Sequence, residues 1–156
     1  YYGHPSKPCT CSPNAIRKYL SKVSGPLLDR MDIHIEVSPV SFDNLSSKAK
    51  LEPSCKIRER VNKAREIQKE RLKSVGILSN SQIPSHILSS VCELTEDAKN
   101  ILQMAFDKMG LSARGYDKIL KISRTIADLA GSEIIDKSHI CEAIQYRSLD
   151  RKYWGY

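Results

Sequence analysis

Two arginines, one cysteine pair and one basic segment are the residues of this sequence whose types and spacing suit chemistry. Arg30 lies in Gly25-Pro-Leu-Leu-Asp-Arg-Met-Asp32, directly before Asp32-Ile-His-Ile-Glu-Val37, a run whose alternating β-branched residues predict a strand. A cation fixed at the end of a strand can be aimed at a ligand across an interface. The alternative is a surface arginine paired with Asp29 or Asp32, a contact worth little. Arg114 follows Ser112, a helix cap, and so falls in the first turn of the predicted helix. A cation there opposes the helix dipole at a cost of roughly a few tenths of a kcal/mol. At 100° per residue it points almost opposite the apolar face, on the side shared by Lys118 and Lys121. An arginine so placed suits an anion such as phosphate, and its alternative is again a solvated surface residue. Arg124, at the flank of the same polar face, is a lesser candidate.

Cys9-x-Cys11 beside His4 raises metal binding. A structural zinc site takes four ligands, commonly from two knuckles, and one pair supplies half of it. The other cysteines, Cys55, Cys92 and Cys141, fall in helical segments, where a free thiol behaves as a small hydrophobe. An odd count of five without disulfide-like spacing fits a reducing compartment. His34, His86 and His139 have no partner at ligand spacing and read as surface or cap residues. The sequence holds no Gly-rich phosphate loop, nucleophile elbow or zinc-protease helix. The 156 residues alone are therefore expected neither to hydrolyse nor to bind ATP tightly.

The net charge of +7 is concentrated: residues 54–75 carry eight basic and three acidic side chains, whereas 76–156 balance at ten each. Such a stripe attracts nucleic acid or is simply a solvated helix face. Within it, Arg58, Lys63, Arg65 and Lys69 are the candidate DNA-binding residues. With 40% hydrophobic and 28% charged residues the composition is that of a globular domain. No apolar run approaches the roughly 18 residues of a membrane span. A cytoplasmic protein with no membrane partner is expected.

The elements that must position these residues are mostly helices. Ser12-Pro13 starts one that runs to about Val23, and Leu27–Arg30 reads as a short turn before the strand at 32–37. Because a lone strand satisfies neither its backbone nor its face, it pairs outside this sequence or does not form here. Residues 38–53, rich in Ser and Pro, read as a linker. From Ser54 the pattern is helical. Ser54–Val75 places Ile57, Val61, Ala64, Ile67, Leu72 and Val75 near one face. Pro84–Leu94 is shorter. Thr95 caps a helix that ends at Gly110, Ser112 one that ends at Gly131, and Asp136 one that runs to about Leu149. The segment RKYWGY is a tail in which Trp154 is the residue able to dock.

Two long stretches carry a family resemblance. YYGHPSKPCTCSPNAIRKYLSKVSGPLLDRMDIHIEV and LSARGYDKILKISRTIADLAGSEIIDKSHICEAIQYRSLDR resemble the bacterial magnesium-chelatase-like AAA+ ATPases, nearest to the competence-M (YifB-type) group. The resemblance is weakest across 38–53 and 76–94. It implies a mainly α chain: residues 1–52 as the end of an α/β AAA+ core with one short strand, 53–150 as a helical lid bundle, and 151–156 as a tail.

The resemblance also implies roles. Gly25–Asp32 is similar to the arginine-finger segment, which makes Arg30 the finger. Ser112-Ala-Arg-Gly-Tyr116 is similar to the second-sensor motif, which makes Arg114 the sensor of the γ-phosphate. It places Arg114 on its own subunit's nucleotide and Arg30 on the next subunit's. The family's phosphate loop and metal-binding acids precede the stretch matched here, as does a Cys-Pro-Cys-Gly segment that with Cys9 and Cys11 would complete a zinc cluster. ATP and Mg²⁺ as cofactors of the full-length protein, a ring, expected to be a hexamer, and DNA as partner follow by implication. Two other classes stay open: a stand-alone helical DNA-binding module, in which residues 95–109 and 112–130 form a helix-turn-helix with Tyr116, Lys118 and Lys121 in a groove, and a chelatase-type subunit that docks on another protein.

Overall fold

A computed structural model describes residues 1–40, 42–46 and 51–147. Its elements follow from local signals in the chain. Ser12 accepts a hydrogen bond from the Ala15 N–H and starts α1, Pro13–Leu20; Ser24 does the same for the Leu27 N–H and starts α2, Gly25–Arg30. Each serine is followed within two residues by a proline that a first helical turn tolerates. The helix α2 replaces the turn expected at 27–30. After it come α3, Phe42–Ser46, inside the expected linker, and α4, Ser54–Arg71, extended by a single 3₁₀ turn, Lys73–Val75, that Gly76 ends at φ +69°. A second 3₁₀ turn, Asn80–Gln82, leads to α5, Ser85–Val91. Thr95 caps α6, Glu96–Met109, and Ser112 caps α7, Ala113–Ala130; left-handed Gly110 and Gly131 terminate them. The last helix described, α8, Lys137–Gln145, stops four residues before the expected Leu149. The expected docking of Trp154, and the tail 151–156, lie outside the described residues.

α7 is the centre of the bundle and packs against α4, α5 and α8, while α6 lies on α8. The core comprises Leu72, Ile83, Leu88, Cys92, Ala98, Leu102, Ile119, Leu120, Ala127, Ile135, Ile140 and Ala143. A single parallel bridge between Leu94 and Ile135 ties the entry of α6 to the entry of α8, with Thr95 N–H donating to the Ile135 carbonyl at 3.0 Å.

Two expectations are corrected. Residues 32–37 are extended but form no strand: no other strand lies among the described residues to offer a ladder. One backbone tie of this run is the His34 N–H donating to the Tyr146 carbonyl at 2.8 Å. The apolar face of α4 is also not wholly buried. Ala64 and Gln68 are covered, but every residue of the first half, 54–63, is exposed, Ile57 and Val61 included. Neighbouring elements reach only the second half of the helix.

The Asp136 cap carries a stability prediction. Its carboxylate accepts hydrogen bonds from the Ser138 N–H and hydroxyl at 2.8 and 2.6 Å and from the His139 N–H at 3.2 Å, while the Asp136 N–H donates to His139 Nδ1 at 3.1 Å. The Ser138 hydroxyl above all, then the two N–H groups, hold the Asp136 carboxyl below its ordinary range. A depressed folded-state pKa stabilises above the unfolded value and stops doing so as pH falls through the folded one. Asp136→Ala should therefore cost about 1 kcal/mol at neutral pH. Thermal melts of parent and variant should converge below about pH 4.

Candidate functional site

Four consecutive residues around Arg30 are held by the bundle. Asp29 accepts a hydrogen bond from the Ser112 hydroxyl at 3.2 Å and one from Arg147 Nη2 at 3.3 Å. The Arg30 carbonyl accepts from the Lys118 ammonium. The Met31 carbonyl accepts from Arg147 Nη1 at 3.0 Å. Asp32 pairs with Lys118 at 2.8 Å. Gly115, in the first turn of α7, faces Asp29, whose Oδ1 would stand at ordinary van der Waals distance, 3.8 Å, from a Cβ at that position. Ser112 serves twice, since its oxygen also accepts from the Gly115 N–H at 3.0 Å to cap α7.

In this arrangement Arg30 pairs with neither Asp29 nor Asp32. Both neighbouring carboxylates, Asp29 and Asp32, are turned to cations of the bundle, so neither neutralises Arg30. Its guanidinium is exposed and has no ion-pair or hydrogen-bond partner among the described residues. Arg114 is 59% exposed, and its closest carboxylate is Asp29, the residue before Arg30, at 4.0 Å. Both arginines are therefore exposed, and an exposed guanidinium is able to bind and neutralise phosphoryl oxygens.

Arg124 is removed from the candidates. It is 1% exposed, because it does not sit on the polar flank but reaches toward the carboxy-terminal end of α7. Its Nε donates to Asp128 Oδ1 at 3.1 Å, and its Nη groups donate to the carbonyls of Glu133, at 2.5 Å, and Ser132. Asp128 is the hub of this cluster, also accepting both Nη groups of Arg71 at 2.7 Å and the Asn80 amide at 2.8 Å. Burial lowers the Arg124 pKa. Next to it, burial pushes the Cys92 thiol up to about 11 against the opposing pull of both arginines, so Cys92 stays neutral and adds no second anion.

The basic segment is a helix face. Lys56 and Lys69 pair with Glu59 and Glu66 at 2.9 and 3.7 Å, and Arg60 forks onto Glu52, but Arg58, Lys63 and Arg65 have no ion-pair partner among the described residues. At 100° per residue, Arg58, Arg65 and Lys69 fall within about 40° of one another, whereas Lys63 lies about 140° from Arg58. Three of the four candidates form one stripe and the fourth does not.

The helix-turn-helix reading loses its groove-facing residues. Lys118 is 15% exposed and occupied by Asp32, Lys121 donates to the Ser81 carbonyl at 3.3 Å, and Tyr116 packs edge-on against Phe106 with ring centroids 6.2 Å apart. Cys11 is exposed and Cys9 partly covered; a backbone hydrogen bond from Cys11 lowers the Cys9 pKa, which favours the thiolate a metal needs. No third ligand joins them: His4 Nδ1 accepts from the Ser6 and Lys7 N–H groups at 3.2 and 3.1 Å, and no cluster of three metal-ligating side chains occurs among the described residues. The pair fits half of a thiolate site. No helix among the described residues is long and apolar enough to cross a membrane.

Asp29, Arg147 and Lys118 are the residues that sequence reasoning missed. Asp29 entered only as a possible partner for Arg30 and Lys118 only as part of a polar face. Their true partners lie 83 to 118 positions away, which no local pattern encodes.

The family model described as "Magnesium chelatase, subunit ChlI C-terminal" matches residues 51–147, and the one described as "Magnesium chelatase, subunit ChlI" matches residues 1–45. Similar curated proteins include competence protein ComM of Haemophilus influenzae, 41% identical over 141 residues, and the uncharacterized protein YifB of Escherichia coli, 35% identical over 143. An uncharacterized protein of Mycobacterium tuberculosis is 32% identical over 139 residues. These alignments cover 89–90% of the chain, which spans 27% of the length of each relative.

Proposed function

The chain belongs to the magnesium-chelatase-like family, and from that membership we propose that it is the carboxy-terminal region of a longer AAA+ ATPase, to which it contributes Arg30 and Arg114. In the full-length protein, bound ATP and Mg²⁺ would provide the phosphoryl group and its counter-charge. Arg30 and Arg114 would bind and neutralise the phosphoryl oxygens, the work an arginine finger does. The observation that carries this reading is that both carboxylates flanking Arg30 are occupied elsewhere, which leaves its charge available.

The resemblance gives the two arginines different nucleotides in a ring expected to be a hexamer, Arg114 its own subunit's and Arg30 the next subunit's. Arg114 lies 4.0 Å from the carboxylate of Asp29, the residue before Arg30. A mixed-ring experiment tests the two placements, as argued below.

DNA is the substrate this reading favours, and the stripe of exposed Arg58, Arg65 and Lys69 along one side of α4 supports it. Arg58→Glu, Arg65→Glu and Lys69→Glu together should abolish binding of this chain to single-stranded or branched DNA. Each lost phosphate contact should lower the log–log salt slope by about 0.7–0.9. Lys63→Glu alone, on the other side of the helix, should change little. Undiminished binding by the triple variant would reduce the stripe to a solvated face. A subunit that docks on another protein has one observation in its favour, an apolar groove of about 530 Å³ lined by Ile33, Ile35, Ile122, Ile126 and Leu129.

A further inference from the structure

The clamp on residues 29–32 is made almost entirely of long-range contacts. Asp29 is seated on Ser112 and Arg147, the Arg30 carbonyl on Lys118, the Met31 carbonyl on Arg147, and Asp32 on Lys118. The two carboxylates and the carbonyls of Arg30 and Met31 each meet a donor of α7, its cap, or the turn after α8. The Arg30 guanidinium has no hydrogen-bond or ion-pair partner among the described residues. Arg147 is 2% exposed and bridges two points of the segment, which makes it the most fixed member of the set. An arginine on a short helix of six residues has little intrinsic rigidity; here its backbone is bolted to the centre of the bundle.

We propose that Asp29 is a positioning residue for Arg30: through Ser112 and Arg147 it fastens the arginine to the helical bundle, so that Arg30 moves with α7 and α8 and not with the segment that precedes it. This rests on the reading of Arg30 given above and adds to it the residue that aims it. Arg30 needs no other partner in the chain, because its reach is set by its backbone. The carboxylate matters as a charge and as a fork. It meets the Ser112 hydroxyl with both oxygens, at 3.2 and 3.3 Å, while one of them also meets Arg147. Asparagine retains one acceptor and no charge, and so keeps part of the clamp.

The test is a kinetic cycle on the full-length protein. Asp29→Ala should lower kcat for ATP about 10²-fold, the cost of a misplacement of about 1 Å, with KM unchanged. Asp29→Asn should recover part of that loss. Asp29 also lies 4.0 Å from Arg114, so the cycle has two arms: Asp29→Ala should cost nothing further in an Arg30→Ala background and keep its full effect in an Arg114→Ala background, which neither a general loss of folding nor an action through Arg114 would reproduce. Hydrogen exchange on the same protein should show the His34 and Met31 amides opening faster in Asp29→Ala, with the interior amides of α7 unchanged. A full additional loss in the Arg30→Ala background, or unaltered exchange at Met31 and His34, overturns the inference. An active Asp29→Ala beside an inactive Arg30→Ala overturns it alone. An active Arg30→Ala overturns the underlying reading of Arg30 and the inference with it.

Discussion

If the full-length protein hydrolyses ATP as proposed above, Arg30→Ala should cut its turnover about 10³–10⁵-fold while leaving ATP binding intact. The magnitude follows from what an exposed, unneutralised guanidinium supplies to phosphoryl transfer: charge on oxygens that become more negative only as the bond breaks. It would contribute little to ground-state affinity, so KM for ATP should hold. Mixed rings distinguish the two possible placements of Arg114. When either arginine variant is combined with a phosphate-loop variant that keeps both arginines, a pair of arginines serving the neighbour's nucleotide should give equal recovery for Arg30→Ala and Arg114→Ala. Recovery for Arg30→Ala alone would return Arg114 to its own subunit's nucleotide. Arg30→Lys should not restore activity, since an ammonium lacks the planar fork.

The second large effect is on folding. Asp128 is fully buried and accepts four hydrogen bonds, two from Arg71 and one each from Asn80 and Arg124. Asp128→Ala leaves two guanidiniums facing each other without a counter-charge, one of them 1% exposed. Breaking a buried ion pair from one side typically costs about 3–5 kcal/mol, a large share of the roughly 5–15 kcal/mol that stabilises a domain. Urea unfolding should show a midpoint far below that of the parent. The loss should fall on α4 as well as α7, because Arg71 is the last residue of α4.

The parts of this fold that were legible in the chain are those written in a few neighbouring residues. Thr95, Ser112 and Asp136 each announce a helix start, and Gly110 and Gly131 each mark a stop; all five act within one turn, and all five stand where they were expected. What could not be read depends on partners far away. The alternation at 32–37 is genuine β patterning, but a strand is defined by its neighbour, and no ladder is on offer among the described residues. Ile57 and Val61 have helical spacing toward α4's apolar side, yet spacing does not say where the covering surface stops. Arg124 was misplaced although a local clue existed: Asp128 lies four residues on, at the spacing of an intrahelical ion pair. The clue needed one more fact, that a third element brings Arg71 and Asn80 to the same carboxylate. The availability of Arg30 is the clearest case. It depends on where Asp29 and Asp32 turn, and their partners are α7 and Arg147.

The half-covered α4 has a mechanical consequence. Its carboxy-terminal end is pinned by the Arg71–Asp128 fork and by Gln68 and Leu72 in the core, while residues 54–63 stand clear. A helix gripped at one end is a cantilever. At 1.5 Å per residue the ten residues before the grip at Ala64 extend about 15 Å, so a tilt of about 10° at the grip carries the tip near Ser54 through about 2–3 Å. Of the basic stripe, Arg58 travels with that arm while Arg65 and Lys69 stay with the gripped half. Small rotations of the bundle are thereby converted into ångström-scale strokes at the charged end.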